Sequence, residues 1–528
     1  MFEVTGQYER NFDKLNAKLL AGYSWQENIE ENFFAFGKGF LTDAFSYNNL
    51  GSASGELTNK EAMGSYKSSS TLIGFFGRFT ANWDDALFLT ANFRRDGSTM
   101  FGENNKWGNF GGISAGVDIR KFVEIPFVNR LKLRGGYGVT GNLPPYPYIS
   151  QLLFNVTNES FFYNGAYIQA YAPIRVENPD LKWEVKKEWG IGLDFNMWSY
   201  RLSGSIDYYN ALSTDLIYNA RVPVPPYPSD RMWLNLGELR NSGVEVAVSL
   251  VAIQHTNFQW TTDVNFTKYM PTKLVAITNE ITESEGYLEL GYLGAPYFTG
   301  WRTIMVSESS SIEEYIHSVD STFYLDDLNL VGQIVAPIFM GVDSSGNIII
   351  EDVDGDGEKN DYNDDVRVVG NGLPKFQIGW GNTFTWKGFY LNFFLRGVFG
   401  HSLVNINNAR YGAGGSIAIQ NGMQQALDYI DAEAPVFTDI HVEKADFVKL
   451  DNFSFGYNFD FKDSKYVSTL TLYLSGQNLF TITNYSGVDP EVRYNDPYDS
   501  NNPLAPGLDR ENTYFRTRSI TIGANITL

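Results

Sequence analysis

The chain of 528 residues carries 61 acidic against 40 basic side chains, a formal charge of -21, and no cysteine. The acidic balance opposes nucleic-acid binding, which needs clustered Lys and Arg, and the lack of thiols removes disulfide frameworks, thiolate zinc sites and cysteine nucleophiles. Aromatic residues reach 16%, with 50 Gly and only 19 Pro, a balance that favours pleated sheet and membrane interfaces.

Taken in chain order, period-two alternation predicts fifteen strands, at 2–12, 15–26, 71–83, 86–96, 109–121, 128–140, 182–197, 200–212, 235–251, 257–268, 375–386, 389–400, 445–460, 468–483 and 513–528, with ends good to about two to four residues. Leu131, Leu133 and Tyr137 alternate with Lys132 and Arg134. Phe453, Phe455, Tyr457 and Phe459 alternate with Asn452, Ser454, Gly456 and Asn458, and Leu470, Leu472 and Leu474 with Thr469, Thr471, Tyr473 and Ser475. In the last strand Ile520, Ile522, Ala524, Ile526 and Leu528 alternate with Thr521, Gly523, Asn525 and Thr527. One face is oily and the other wet. Any single strand of this kind also fits a soluble sandwich with one solvated face.

Connection lengths separate the two. Neighbouring strands join through brief turns at Asp13 with Lys14, Asp84 with Asp85, Met197 to Tyr200, Lys387 with Gly388, and Lys462 to Lys465. Between these hairpins lie long loops at about 27–70, 142–180, 269–374, 401–444 and 484–512. Brief turns on one rim and long loops on the other describe an all-β, transmembrane antiparallel β-barrel of the bacterial outer membrane. No apolar run of about 18 residues is present, so membrane crossing rests on strands.

With the brief turns on the periplasmic rim, the first and last strands both run inward, so closing them directly would make a parallel pair. Bacterial barrels use even numbers of antiparallel strands. The chain is therefore expected not to close a barrel alone, further strands preceding Met1. The start, MFEVTGQYERNF, lacks a charged segment followed by an apolar one, so no leader for export is visible in it.

Several strings are specific enough to suggest a family. FRRDGSTMFGENNKWGNFGGISAG (Phe93 to Gly116), LKLRGGYGVTGN (Leu131 to Asn142), NPDLKWE (Asn178 to Glu184), NLGELRNSGVEV (Asn235 to Val246), ADFVKLDNFSFGY (Ala445 to Tyr457), SGQNLFTITNYSGVDPEV (Ser475 to Val492) and the terminal DRENTYFRTRSITIGANITL follow in that order. Through them the chain resembles SusC/RagA-type TonB-linked outer-membrane proteins over nearly its whole length. Gly111 and Gly112 depart from a usual Pro-Ser step, and Leu528 stands where an aromatic is usual. The resemblance implies a barrel of about 22 strands, of which fifteen lie here as its C-terminal portion, with the plug absent. It implies nutrient import as the function, energised by TonB-ExbB-ExbD through that plug; the plug and early strands are expected on a companion chain, or on the other piece of a nicked or split transporter. A SusD-like lipoprotein is expected over the loops, and outer-membrane lipid around the wall. It leaves oligosaccharides and peptides open as substrates. A self-contained porin or adhesin, and a secreted sugar-binding protein, stand as the other classes.

Two loop features stand out for binding. Phe161, Phe162, Tyr163, Tyr167 and Tyr171 cluster in one loop, and Tyr287, Tyr292, Tyr297, Phe298 and Trp301 in another. Flat rings stack on sugar faces or grip peptide side chains, and they also pack loops against a barrel mouth. The acidic turn with Asp352, Asp354, Asp356, Glu358 and Asn360 places carboxylates at alternate positions around Gly357, as calcium loops do. Its twelfth position is Asn363 rather than a bidentate acid, so a solvated Asx turn is the competing reading. No cofactor is required. Catalysis is not expected: His255, His317, His401 and His441 lack metal or triad spacing and read as surface or lumen residues. Trp83, Trp183, Trp260 and Trp386, near strand ends, read as interfacial girdle residues.

Overall fold

The structure, a computed structural model, describes residues 1–527 apart from 45, 56–62, 223–226, 230, 277–287, 291–303, 307–331, 354, 356, 358–364, 366, 413–420, 428–436, 462–465, 492–506 and 510–515. Fifteen strands form one continuous antiparallel wall: β1 Phe2–Phe12, β2 Leu15–Ala35, β3 Met63–Trp83, β4 Leu87–Ser98, β5 Trp107–Asp118, β6 Val128–Asn142, β7 Glu184–Met197, β8 Leu202–Thr214, β9 Glu238–His255, β10 Phe258–Tyr269, β11 Phe376–Trp386, β12 Phe389–Phe399, β13 Phe447–Asp460, β14 Thr469–Thr483 and β15 Ser519–Thr527. A short strand, Lys273–Ala276, adds to β9. Each wall strand pairs with its neighbours in chain order, so among the described residues β1 has only β2 beside it and β15 only β14. No helix of the described residues is long and apolar enough to cross a membrane, which says nothing of the strands.

Backbone geometry explains the brief turns. Lys387 and Gly388 both take positive φ, 46° and 92°, the arrangement whose twist matches that of the flanking strands. At the β3–β4 turn Asp84 and Asp85 sit at 53° and 52°, while Asn82 binds Asp85 through side chain and amide and Lys14 pairs with Asp84 at 3.1 Å.

Register sets the two faces. Phe455, Leu474 and Ile522 share one rung, Tyr457, Leu472 and Ala524 the next on that face, and Phe459, Leu470 and Ile526 another. The intervening rungs join Ser454, Ser475 and Thr521, then Asn458, Thr471 and Asn525. Leu472, Leu474, Ile520, Ile522 and Ile526 are exposed, Ile522 to 84%. Apolar surface of that extent is not kept bare in water, and lipid is the solvent that suits it.

The wall overruns one expected loop. β2 and β3 stay paired from Leu15 with Trp83 to Ala35 with Met63, so the connection is 36–62 rather than 27–70. Residues such as Glu27, Glu30 and Glu31 read as loop, yet backbone pairing continues beyond the apolar band and needs no oily face. At the other end β15 begins at Ser519 rather than 513.

Buried apolar side chains gather at the loop end. Ile334, Ala336, Val404, Ile406, Ala409, Phe437 and Leu508 form one cluster, around the strand Ser402–Asn405, which pairs antiparallel with Val442–Lys444 and parallel with Leu508–Asp509. The helix Ile406–Tyr411 follows, its first turn capped by Asn405 accepting the Asn408 amide. Trp183 departs from the girdle reading: it is 6% exposed, packed on Phe101 and Phe110, because NPDLKWE folds back under the loop at 99–106.

Candidate functional site: the charged wall face and the loops above it

The polar rungs of β6, β7 and β8 build the first cluster. Arg134 lies opposite Gly192, which lies opposite Asp207. The missing side chain at Gly192 lets the guanidinium cross the rung: Arg134 reaches Asp194 at 3.1 Å and Asp207 at 2.7 Å. A Cβ at Gly192 would collide with the Asp207 carboxylate and stand 2.8 Å from the guanidinium carbon. Lys186 pairs with Glu188 at 2.6 Å just above. This stretch borders a concavity of about 1200 Å³ that Tyr209, Asn241 and Glu245 also line.

A second cluster joins wall to loop. Arg396 on β12 binds Asp451 through two nitrogens, at 2.6 and 3.2 Å, and Glu491 at 2.7 Å. Glu491 also takes Lys449 at 3.3 Å and Arg516 at 2.6 Å, and Arg516 reaches Asp489 at 2.8 Å. Burial raises the Glu491 pKa, but Arg396, Arg516 and Lys449 outweigh it and hold the group below the ordinary carboxylate value. Sequence reasoning did not single out Glu491 or Asp489. The signal was their spacing of two in SGVDPEV, directly after a strand whose neighbours carry lumen-facing cations.

Above this the loops close on themselves. The Tyr485 hydroxyl donates to Asp509 at 2.7 Å, and burial together with the Asp509 charge pushes its ionisation well above the ordinary tyrosine range. Glu443 accepts the Ser486 amide at 2.7 Å, the Ser486 hydroxyl at 2.6 Å and the Asn405 amide group at 3.0 Å. His401 and His441, expected at surface or lumen, are both 7% exposed. They are buried because the loops pack into a body of their own: His401 Nε2 meets the Pro490 carbonyl at 3.1 Å, and His441 Nδ1 accepts the Thr438 amide at 3.1 Å.

The first aromatic loop is a hairpin, Phe154–Tyr163 with Ala166–Pro173, closed by Asn164 and Gly165 at φ 51° and 83°. Phe162 faces Tyr167 across it, rings 5.2 Å apart, with Tyr171 on the same side by alternation. Phe161 and Tyr163 take the other side. All five are exposed to 67% or more. Tyr292, Tyr297 and Trp301 lie outside the described residues, as do Asp354, Asp356, Glu358 and Asn360. Asp352 is described: its carboxylate accepts the Gly355 amide at 2.6 Å and the Gly357 amide at 3.0 Å.

Residues 2–479 match the family described as TonB dependent receptor-like, beta-barrel. TonB-dependent receptor P3 of Formosa agariphila is 29% identical, over 98% of this chain and 51% of its own length. TonB-dependent receptor SusC of Bacteroides thetaiotaomicron is 27% identical, over 81% of this chain and 42% of its own. The chain thus spans about half the length of the curated relatives it matches. The solved RagAB peptide transporter superposes with a TM-score of 0.75 at 19% identity, over 99% of this chain and 55% of that one, a likeness of fold. A wall of paired strands with one oily and one charged face, matched along nearly all its length, places the chain in the TonB-dependent receptor-like β-barrel family, as a SusC/RagA-type protein of the bacterial outer membrane.

Proposed function

We propose that the chain forms the wall and surface loops of a TonB-dependent importer of oligosaccharides or peptides. The open wall carries this reading: among the described residues β1 and β15 each have a partner on one side only, and a strand edge in lipid leaves backbone groups unsatisfied at several kcal/mol each. Polypeptide outside residues 1–528, holding the plug and about seven further strands, would complete a barrel of about 22. TonB-ExbB-ExbD acts through that plug, and a SusD-like lipoprotein caps the loops, in keeping with the relatives named SusC and RagAB. The rings of Phe161, Phe162, Tyr163, Tyr167 and Tyr171, with Tyr292, Tyr297 and Trp301, are proposed to grip substrate at the mouth, stacking on sugars or holding apolar peptide side chains.

The self-contained porin requires β1 and β15 to meet, and they run in the same direction, fifteen antiparallel strands being an odd number. The test is purification from native outer membranes with mass spectrometry of every co-purifying chain, alongside uptake with and without TonB. The proposal expects plug sequence and a lipoprotein to accompany this chain, and uptake to stop without TonB. TonB-independent uptake by a barrel containing only residues 1–528 would sink it.

A further inference from the structure

On the oily face, beside the turn at Lys387 and Gly388, a hollow of about 280 Å³ is walled by Phe384 and Trp386 of β11, Phe389 and Leu391 of β12 and Phe455 of β13. Trp386 stands opposite Phe389, Phe384 opposite Leu391, and Leu391 opposite Phe455. Leu391 thus lies between aromatic rungs, and its shorter reach makes the dent. The rings are fixed against one another: Trp386 stacks on Phe389 at 6.0 Å between centroids, and Phe389 on Phe455 at 6.0 Å.

Two polar features of the rim have no hydrogen-bonding or ion-pair partner among the described residues. Lys387 is exposed, its ammonium 5.9 Å from the centre of the Trp386 ring, and no carboxylate pairs with it among the described residues. At the β1–β2 turn, by contrast, Lys14 is neutralised by Asp84 at 3.1 Å. The indole N–H of Trp386, a residue 53% exposed, also meets no acceptor among the described residues. A cation, an exposed indole and an apolar hollow thus stand together at one point of the rim.

We infer that this groove is a phospholipid site: an acyl chain fills the hollow, the headgroup phosphate lies against Lys387, and the Trp386 N–H donates to an ester carbonyl or phosphate oxygen. The brief-turn rim of such a barrel is periplasmic, where the outer membrane presents phospholipid. Interfacial Trp and Lys, an amphipathic ring and a cation on a flexible stem, match that boundary. The site rests on the outer-membrane placement of the wall and is independent of what the transporter imports.

The test uses the protein extracted from outer membranes with its natural partner chains in mild detergent, read by native mass spectrometry after a delipidating wash. Phosphatidylglycerol and phosphatidylethanolamine are then added back at equal concentration. A single retained phospholipid per chain is expected, with phosphatidylglycerol preferred. Leu391→Trp, which fills the hollow with another ring, should lower occupancy about tenfold, and Lys387→Gln should keep the lipid but lose the preference. Leu391→Phe replaces the larger variant where heat-modifiable gel mobility shows that it has not assembled. Unchanged lipid retention in an assembled Leu391 variant would overturn the groove. Equal binding of the two lipids by the wild type, or an intact preference in Lys387→Gln, would overturn the headgroup contact.

Discussion

The two arginine clusters use the same chemistry at different depths. Around Arg134 every partner comes from adjacent wall strands and the side chain stays 41% exposed, whereas Arg396 is 23% exposed and its acid, Glu491, is 14% exposed. Gly192 makes room for the first cluster, and a loop residue lowered onto the wall completes the second. One adjusts the surface of a wall that backbone pairing already holds; the other clasps the 484–518 connection to that wall.

Removing the clasp should be the costlier change. Glu491→Ala takes from Lys449, only 5% exposed, its carboxylate partner among the described residues, while Arg396 keeps Asp451 and Arg516 keeps Asp489, and breaking a buried pair from one side costs about 3 kcal/mol or more. Arg134→Ala, in a wetter site, should cost about 1 kcal/mol. Urea titration of the assembled protein, followed by gel mobility, measures both, and protease cleavage within 484–518 should increase in the Glu491 variant alone. Equal losses would erase the distinction between clasp and wall.

Acid should open the loop body before it touches the wall. Burial lowers the His441 pKa from 6.5 to about 4, against weaker opposing effects of the Thr438 contact and Glu443. The unfolded histidine protonates near 6.5 and the folded one resists until about 4. Its neutral burial therefore favours the fold fully above 6.5, and that advantage is lost as pH falls through this window, to a total of about 3 kcal/mol. Protection factors at residues 437–444, taken relative to the intrinsic exchange rate at each pH, should fall from pH 7 to pH 4.5, and His441→Gln should flatten that dependence. Protection that falls equally in both proteins would show the sensitivity to lie elsewhere.

The wall was legible because alternation reports a face directly: Ile520, Ile522 and Ile526 needed no partner to be assigned outward. Parity followed from turn lengths, and the open edges of β1 and β15 accord with it. The aromatic hairpin was visible as rings, and its turn is the Asn164-Gly165 pair that favours positive φ. What stayed hidden depended on distant packing. Lys449 and Glu491 are separated by 42 positions, Trp183 finds its core only when the chain folds back on Phe101, and the burial of His401 and His441 comes from loops that assemble into a body. The ends of β2 and β3 were missed because a hairpin propagates by backbone pairing after its apolar pattern has ended.

The smallest expected effect tests the acidic turn against both charged clusters. Gly355 and Gly357 take positive φ, 80° and 86°, which turns their amides onto Asp352, and the Asp365 carboxylate accepts the Val353 amide at the other end of the loop. The described part of the loop is thus already held by backbone donors, as an Asx turn requires. Calcium, proposed to enter among Asp352, Asp354, Asp356, Glu358 and Asn360, would add to a turn that closes without it. Affinity in the range of extracellular modules, about 10⁻⁴ to 10⁻³ M, is the expectation. Millimolar calcium should then slow protease cleavage within 352–365 a few-fold, magnesium should not substitute, and Asp352→Asn should abolish the protection while leaving urea stability of the wall unchanged. Cleavage that ignores saturating calcium would remove the metal and leave the amide-bound turn as the whole account of this sequence.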